Sequence, residues 1–399
     1  MKRIISLVLV FVMIAAMCVA FASCGGNADF KIGFICLHDE KSTYDLNFIE
    51  AAKRAKESLG LKDDQVIIMT GIDESDECYN AAKDLVEQGC DVIFANSFGH
   101  EDFIIKAAKE FPDVQFCHAT GTKAHTEGLD NYHNAFASIY EGRYLAGVAA
   151  GLKLKEMIDN GKITAAEAKM GYVGAFTYAE VISGYTSFYL GAKSIVPEVT
   201  MDVQFTGSWY DATEEKNAAL ALIEGGCVLI SQHADSMGAP SACEEKKVPN
   251  VSYNGSTVAT CENTFIVSSK IDWTPYFELI IKATRDKEGT IPADWCGTIA
   301  TGSVVLTDVN AKAAAAGTQA KIDDIKAKLQ SGDVKVFDTD TFTVGGKKLE
   351  SYKADVDTDA KFTPDTEVVE NGAFNESTKR SAPYFDVRID GITLKNEKF

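Results

Sequence analysis

The segment Lys31-Ile-Gly-Phe-Ile-Cys-Leu37, with the stretch from Asp45 to Leu59 and the segment Val66-Ile-Ile-Met69, decides the fold. The first and last of these are short apolar runs, which are typical of buried strands. The stretch between them has apolar residues at helical spacing and ends before Gly60. A buried strand, an amphipathic helix and a second buried strand make one right-handed βαβ unit with parallel strands.

The same alternation continues along most of the chain. Further strands are predicted at 91–95, 114–118, 169–173, 201–205, 227–230, 248–253 and 264–268. The pattern between them predicts helices at 77–88, 101–111, 179–193, 213–224 and 236–246. A long helical pattern rich in Gly and Ala runs from Asn134 to Met157 and separates the two sets of strands. A further helix around 273–285 follows the last strand.

These elements form two successive α/β halves, so the fold class is predicted to be α/β. We expect two lobes, each a mostly parallel sheet flanked by helices, with a ligand between the carboxyl edges of the two sheets. The predicted boundaries are a lipoprotein signal peptide at 1–23, a tether at 24–30, a first lobe at 31–150, a second lobe at 151–300, and at 301–399 a returning helix (311–329) and a C-terminal appendage.

The N-terminus has the order of an export signal. A basic start, Met1-Lys2-Arg3, precedes the apolar stretch from Ile4 to Phe21, and the small residues Ala22-Ser23 then precede Cys24. A cysteine after small residues is the usual site where a bacterial lipoprotein is cleaved and acylated. We therefore predict that Cys24 is lipidated and that the protein is extracytoplasmic, anchored by lipid to the bacterial cell membrane. A plain signal peptide or a single membrane anchor is the alternative.

Composition limits the classes of partner. The chain has 399 residues, a net charge of −19 and 46% hydrophobic residues. This acidic balance disfavours nucleic acids and anionic lipid headgroups, and the hydrophobic content argues against disorder. Eight cysteines remain besides Cys18 and Cys24, and no C-x-x-C pair occurs. We expect mostly unpaired, buried thiols here, with a disulfide framework as the alternative.

Catalytic signatures are absent from the sequence. It contains no G-x-S-x-G elbow, P-loop, G-x-G-x-x-G or H-E-x-x-H motif. We therefore predict neither enzymatic activity nor a cofactor or metal. Two tight groups of histidine and carboxylate follow strands, His38-Asp39-Glu40 and His233-Ala234-Asp235. A zinc site is one interpretation of them, and the favoured one is a hydrogen-bonding loop at the edge of the cleft.

Aromatic residues in polar loops after strands are the better candidates for ligand contact. Tyr44, Phe98, Tyr178, Trp209 and Trp273 stand at such positions. Two rings facing each other across a cleft would sandwich a flat heterocycle, at about 1–3 kcal/mol per stacking contact. Polar residues beside them could hydrogen-bond the edges of that heterocycle: Asp45, Asn96, His233, Asp235, Asn254 and Lys270.

Several motifs in a fixed order make the chain resemble the BMP (basic membrane protein) family of ABC-transporter substrate-binding lipoproteins. They lie in the segments 107–116, 141–151, 170–174, 207–211 and 267–270, and include Tyr-Leu-Ala-Gly at 144–147 and Gly-Ser-Trp-Tyr-Asp at 207–211. The resemblance extends from about residue 31 to 300. It implies a type I periplasmic-binding-protein-like fold that binds purine nucleosides or bases in the cleft.

The resemblance also implies roles for single residues. Tyr44 and Asp45 replace the family's Phe-Asn, so Tyr44 would stack on the ligand from the first lobe and Trp209 from the second. Asn254 replaces an Asp that contacts ribose in nucleoside binders, and Lys270 matches a ribose-contacting lysine. The first Asp of the family's D-x-S-F-N motif is Lys41 here. These departures, and a likeness of residues 232–238 to an adenine-binding branch, favour a free purine base.

The leading hypothesis is a monomeric receptor that closes around a purine and delivers it to an ABC permease and its ATPase. The predicted ligand contacts are Tyr44, Asp45, Phe98, Trp209, His233, Asp235, Asn254, Lys270 and Trp273. A sensor lipoprotein that reports purine to a signalling partner needs the same cleft and is an alternative. A nucleoside hydrolase is another, but it needs carboxylates holding a metal near the sugar, and Asp63-Asp64 lies at a helix-to-strand turn.

Overall fold

The computed structural model describes residues 30–356, 359 and 361–397. The predicted signal peptide, Cys24 and most of the predicted tether lie outside these residues. Phe30, assigned to the tether, is buried and its carbonyl accepts a hydrogen bond from Gln65 Nε2 at 2.8 Å, so it belongs to the first lobe. Among the described residues no helix has the length and apolar character that a membrane crossing requires.

As far as β10, the strands and helices alternate largely as the sequence predicts. The strands are β1 (Ile32–Ile35), β2 (Val66–Met69), β3 (Val92–Ala95), β4 (Gln115–Ala119), β5 (Tyr132–Ala137), β6 (Lys169–Gly174), β7 (Thr200–Phe205), β8 (Leu229–His233), β9 (Asn250–Tyr253), β10 (Phe265–Ile271), β11 (Asp294–Gly297), β12 (Val304–Leu306), β13 (Lys353–Ala354), β14 (Thr366–Glu367), β15 (Val369–Glu370), β16 (Ala373–Phe374) and β17 (Ile392–Leu394). The α-helices are α1 (Thr43–Ser58), α2 (Asp76–Glu87), α3 (Glu101–Glu110), α4 (Ala124–Glu127), α5 (Ile139–Asp159), α6 (Ala179–Lys193), α7 (Ala212–Glu224), α8 (Gly238–Lys246), α9 (Thr274–Ile281) and α10 (Thr318–Ser331).

Two large sheets carry the fold. The first has the order β11-β5-β4-β3-β1-β2, with all neighbouring strands parallel. The second has the order β12-β10-β9-β8-β6-β7-β17, in which β12 is antiparallel to β10 and the other pairs are parallel. Each sheet with its helices is here called a lobe. The predicted α/β class with parallel sheets flanked by helices is confirmed.

Strand β5 differs from the sequence-based expectation. The prediction begins a helix at Asn134, whereas Tyr132–Ala137 is a strand and the helix α5 begins at Ile139. All six residues of β5 are buried, and β4 and β11 flank the strand within the sheet. A strand covered on both faces shows no alternation of polar and apolar residues, so its small residues resembled the start of the helix.

The chain passes between the lobes three times in the described residues: between β5 and α5, between β10 and α9, and between β11 and β12. Helix α5 packs on the second lobe, so the predicted boundary at residue 150 falls inside this helix. The segment from Thr274 to Gly297 returns to the first lobe, where the sequence-based boundaries place it in the second. The alternation of strands and helices in the sequence cannot reveal such a return, because it does not show to which sheet a strand belongs.

Most of the described residues after 301 pack on the second lobe. Predicted as a returning helix and an appendage, they form α10 and end with β17, in which Ile392 pairs with Met201 of β7. Phe337 and Phe385 are buried and stack with ring centroids 4.2 Å apart. This part of the chain therefore contributes its own aromatic core.

The eight cysteines within the described residues are free thiols, as expected. Seven of them are buried and Cys296 is half-buried. Burial raises the pKa of these thiols, for example that of Cys90 to about 11. They accordingly act as small apolar side chains.

Candidate functional site

A cavity lies where the carboxyl ends of strands from both lobes meet, with about 380 Å³ of empty space once the open solvent at its mouth is included. It is lined by Leu37, His38, Tyr44, Asp45, Ser97, Phe98, Thr120, Glu180, Trp209, His233, Asp235 and Tyr253. Six of the nine predicted contacts are among them: Tyr44, Asp45, Phe98, Trp209, His233 and Asp235. The two rings expected to face a ligand, Tyr44 and Trp209, therefore share one cavity and come from opposite lobes.

The start of α1 presents Tyr44 and Asp45 to the cavity. Ser42 caps the helix by accepting a hydrogen bond from the Asp45 backbone N–H. The Tyr44 hydroxyl donates to the carbonyl of Asn96 at 2.7 Å, and its ring meets Phe48 edge-on at 4.8 Å. These contacts fix the ring at the floor of the cavity.

The Asp45 carboxylate is buried yet ionised. Its Oδ1 accepts hydrogen bonds from Asn96 Nδ2 at 2.6 Å and from the His38 backbone N–H at 3.1 Å. Burial acts to raise the pKa of Asp45, but hydrogen bonds from His38, Asn96 and Ser42 bring it below the usual value. Asp45 thus offers the cavity a fixed hydrogen-bond acceptor.

An aromatic cluster closes the mouth of the cavity. Trp209 meets Phe176 edge-on at 4.9 Å, and Tyr178 lies 5.0 Å from Phe176 in a stacked arrangement. Tyr178 of the second lobe also stacks on Phe98 of the first, with centroids 5.1 Å apart, although both rings are about 40% exposed. Two exposed rings in contact across the cleft indicate that the lobes are closed on each other.

Hydrogen bonds join the lobes beside these rings. The backbone N–H of Thr43 donates to the Asp235 carbonyl at 3.0 Å, and the Thr43 hydroxyl donates to the same oxygen at 3.2 Å. Within the second lobe, Asn254 Nδ2 donates a hydrogen bond to Asp235 Oδ1 at 3.0 Å. Burial, and then the neighbouring charges of Asp45 and Glu215, raise the pKa of Asp235 well above its usual value.

His233 and Glu180 form the back wall. His233 Nε2 lies 3.4 Å from Glu180 Oε1, and the imidazole packs on Tyr253 with centroids 4.3 Å apart. His233 Nδ1 is buried without a hydrogen-bond partner and faces α6, where a Cβ at Gly184 would lie 2.6 Å from it. Burial lowers the pKa of His233, so the ring is neutral and its Nε2–H is free to donate to Glu180.

Three predicted contacts lie elsewhere. Trp273 is 1% exposed and stacks on Phe48 at 4.6 Å in the core of the first lobe, which corrects its assignment to the cleft. Lys270 is half-buried on β10, opposite Val305, and does not line the cavity. Asn254 stands behind Asp235 and orients it.

Half of the residues that line the cavity were not predicted from the sequence as ligand contacts. They are Leu37, His38, Ser97, Thr120, Glu180 and Tyr253. Tyr253 ends a predicted strand, and Ser97 and Thr120 follow two others, so position at a carboxyl edge was the available signal. Glu180 lies in the first turn of α6, and nothing in its local sequence distinguished it from an exposed helix residue.

The chemistry of the cavity is aromatic and rich in acceptors. Asp45, Asp235 and Glu180 contribute carboxyl groups, and none of the twelve lining residues is a lysine or arginine. Among residues 30–356, 359 and 361–397, no group of three or more His, Cys, Asp or Glu side chains is arranged to hold a metal ion. Such a cavity suits a flat neutral molecule with N–H donors and is unfavourable for phosphate.

Residues 36–338 match the model of the Bmp family, described as ABC transporter substrate-binding protein PnrA-like. The chain belongs to this family. The predicted BMP membership is thereby confirmed. The family is one of substrate-binding proteins rather than catalysts, and ABC substrate-binding proteins are extracytoplasmic.

Individual relatives agree with this membership. A purine-binding protein of Brucella abortus is 30% identical over 328 residues, covering 80% of this chain and 88% of the relative. An ABC transporter nucleoside-binding protein of Lactococcus lactis is 29% identical over 177 residues, covering 44% and 45% of the two chains. A putative ABC transporter glucose-binding protein of Haloferax volcanii is 33% identical over 207 residues, covering 52% and 49%.

Solved structures share the fold. An ABC transporter solute-binding protein of Conexibacter woesei superposes with a TM-score of 0.61 at 21% identity, covering 77% of this chain and 98% of that one. One from Aeropyrum pernix gives 0.63 at 16% identity, covering 77% and 93%. At these identities the match concerns architecture, and it agrees with the predicted periplasmic-binding-protein-like fold.

Proposed function

We propose that the protein is a lipid-anchored extracytoplasmic receptor that closes around a purine and delivers it to an ABC permease. The observation that carries this proposal is the shared cavity of Tyr44 and Trp209, two rings from opposite lobes, beside the carboxyl groups of Asp45 and Asp235. The purine-binding and nucleoside-binding relatives support the same ligand class. Three passages of the chain between the lobes supply the hinge for closure.

The preferred ligand in this proposal is a free base. The two residues that the family resemblance assigns to ribose, Asn254 and Lys270, do not line the cavity. Asn254 instead hydrogen-bonds Asp235, which leaves fewer polar groups for a sugar. Adenine, guanine and hypoxanthine should therefore bind more tightly than their nucleosides.

Isothermal titration calorimetry with these bases, their nucleosides and glucose tests the ligand class. Removing either ring, with Tyr44→Ala or Trp209→Ala, should weaken purine binding by about 5–150-fold, since a base–aromatic contact is worth about 1–3 kcal/mol. Tyr79→Ala serves as the matched control, because Tyr79 lies on α2 and does not line the cavity. Absence of binding to every purine, or tight binding of glucose, would disprove the proposal.

Membrane attachment has a separate test. Cys24→Ala removes the proposed acylation site and should move the protein from the membrane fraction to the soluble fraction of its own host. Mass spectrometry of the N-terminal peptide should show diacylglycerol on Cys24 of the unmodified sequence. An unlipidated Cys24 would refute the anchor and leave the ligand proposal intact.

A further inference from the structure

Arg143 on α5 is a charged residue buried entirely among neutral partners. Its Nη1 donates to the Ser252 carbonyl at 3.1 Å and to Ser269 Oγ at 3.3 Å, and its Nη2 donates to Tyr172 Oη at 3.2 Å and to Ser231 Oγ at 2.7 Å. The side chain is 0% exposed and its Nε has no hydrogen-bond partner. Burying a charge in this way is costly, so its presence calls for a compensating interaction at longer range.

The position of Arg143 is directly behind the second-lobe wall of the cavity. Its four partners lie on β6, β8, β9 and β10, the strands whose carboxyl ends approach the cleft. Its guanidinium carbon lies 5.2 Å from the centroid of the Tyr253 ring, and that ring packs on His233. Tyr253 and His233 both line the cavity, so a single layer of side chains separates the arginine from a ligand.

Several acidic groups gather at the cavity. Asp45, Asp235 and Glu180 line it, and the buried carboxyl group of Glu215 accepts a hydrogen bond from the backbone of Ser236, next to Asp235. None of the lining side chains carries a permanent positive charge. The guanidinium behind Tyr253 is fixed by four hydrogen bonds and exerts its field through the low-dielectric wall.

On the basis of the proposed function, we propose that Arg143 is a positioning residue of the binding site, whose buried charge balances the acidic cavity and whose hydrogen bonds hold its second-lobe wall. It acts through Tyr253 and His233 and does not touch the ligand. Its charge opposes protonation of His233. A positive charge there also favours the ionised form of the cavity carboxyl groups, against the burial that raises the pKa of Asp235. The imidazole therefore stays neutral and continues to orient Glu180.

The charged and titratable groups around these carboxyl groups come from both lobes. His38 faces Asp45, Glu215 and Asp45 act on Asp235, and His233 pairs with Glu180. Tyr44 and Tyr253 line the same cavity as Glu180. Loss of the arginine charge leaves the acidic members of this set unbalanced. A cavity carboxylate then takes up a proton at a higher pH than in the protein with Arg143, and the ligand loses a hydrogen-bond acceptor.

The affinity for adenine, measured by calorimetry from pH 5 to pH 8, tests the inference in Arg143→Met and Arg143→Lys. The neutral variant should bind adenine at least 10-fold more weakly at pH 7, and its acidic limb of binding should move to higher pH. The lysine variant keeps the charge and should retain the pH profile of the unmodified protein. Arg285→Met is the matched control, because Arg285 pairs with Asp286 and does not line the cavity.

Equal weakening in both Arg143 variants with an unchanged pH profile would show a merely structural role and overturn the inference. Arg143→Gln, which keeps a hydrogen-bond donor without the charge, replaces the methionine variant if that variant does not fold, and should show the same move of the acidic limb. NMR titration of the His233 ring gives a readout without ligand: it should protonate at a higher pH once the charge is removed. An unmoved His233 titration contradicts the inference even if the protein binds no purine, which separates this outcome from failure of the proposed function.

Discussion

Glu376 shows how burial of one residue couples folding to pH. It is 2% exposed, and its carboxylate accepts hydrogen bonds from the backbone N–H groups of Tyr384 at 2.9 Å and Phe385 at 2.7 Å. Burial raises the pKa of Glu376 to about 7, although these bonds oppose the rise. The folded state therefore holds this proton more tightly than the unfolded chain, whose glutamate pKa is about 4.3.

Glu376→Gln should change the pH dependence of stability in a defined direction. A raised pKa in the folded state contributes stability below about pH 4, and this is lost as pH rises to 7. Glutamine does not titrate, so the variant does not lose stability in this way as the pH rises. From pH 5 to pH 8 its free energy of unfolding, measured by urea denaturation, should therefore improve relative to the unmodified protein by on the order of 3 kcal/mol.

Comparing the two proteins removes the effect of buried histidines such as His100 and His133, because burial lowers their pKa to about 4 in both. Glu198→Gln, at an exposed glutamate, is the control and should follow the unmodified protein at every pH. A pH-independent difference in unfolding free energy between Glu376→Gln and the unmodified protein would contradict the prediction.

At the scale of single residues, position after a strand identified several ligand contacts correctly. It did not show which of these side chains are buried in the core instead of lining the cavity. Tyr44 and Trp209 were predictable because both come shortly after strands in polar stretches of the sequence, although Tyr44 lies in the first turn of α1. Trp273 also follows a strand, but it enters the aromatic core around Phe48 and Phe94 when the chain returns to the first lobe. Arg143 lies in a motif visible in the sequence, and its role depends on four strands that only the folded chain brings together.

Helices α5 and α6 show what small residues accomplish at the scale of an element. A Cβ at Gly147 would lie 2.0 Å from the Phe188 carbonyl oxygen, and one at Gly191 would lie 2.1 Å from the Tyr144 carbonyl oxygen. The helices therefore touch backbone to backbone. The Gly and Ala pattern of α5 is visible in the sequence, whereas the boundary between β5 and α5 could not be found there because residues on both sides of it are buried.

Gly147→Ala should separate these helices and lower the free energy of unfolding by about 2 kcal/mol. Overpacking costs about 1–3 kcal/mol or more, and the better helix propensity of Ala recovers at most about 1 kcal/mol. Denaturant unfolding measures the loss. Gly225→Ala, at the end of α7 where the nearest atom to a new Cβ is 3.2 Å away, should change stability little. Unaltered stability of Gly147→Ala would be incompatible with the packing described.

Closure of the two lobes involves the whole molecule. Phe98 of the first lobe and Tyr178 of the second stack on each other across the closed cleft. Phe98→Ala removes the stacked pair across the cleft, worth about 0.5–1.5 kcal/mol. If the lobes must separate for release, the variant should release bound purine about 2–10-fold faster in stopped-flow fluorescence. Phe362→Ala, at an exposed ring that does not line the cavity, is the control. An unchanged release rate would mean that the two rings do not hold the cleft shut.

The doubled α/β architecture was predictable from the sequence because it follows from local alternation, whereas the path of the chain between the lobes was not. Asp294–Gly297 could be recognised neither as a strand nor as a member of the first sheet, since its partner β5 lies far away in the sequence. Pairing between strands that are distant in the sequence is visible only in the folded structure. The same holds for the chain passage between β11 and β12.

Strand β17 has a consequence for self-association. It hydrogen-bonds to β7, with Ile392 opposite Met201, and thereby occupies the rim of the second sheet. Until that distant segment arrives during folding, β7 exposes a row of free amide and carbonyl groups that another molecule could extend. Once docked, β17 is itself the edge of the sheet, and its three residues offer a shorter row of free groups than the six residues of β7, which limits intermolecular sheet growth.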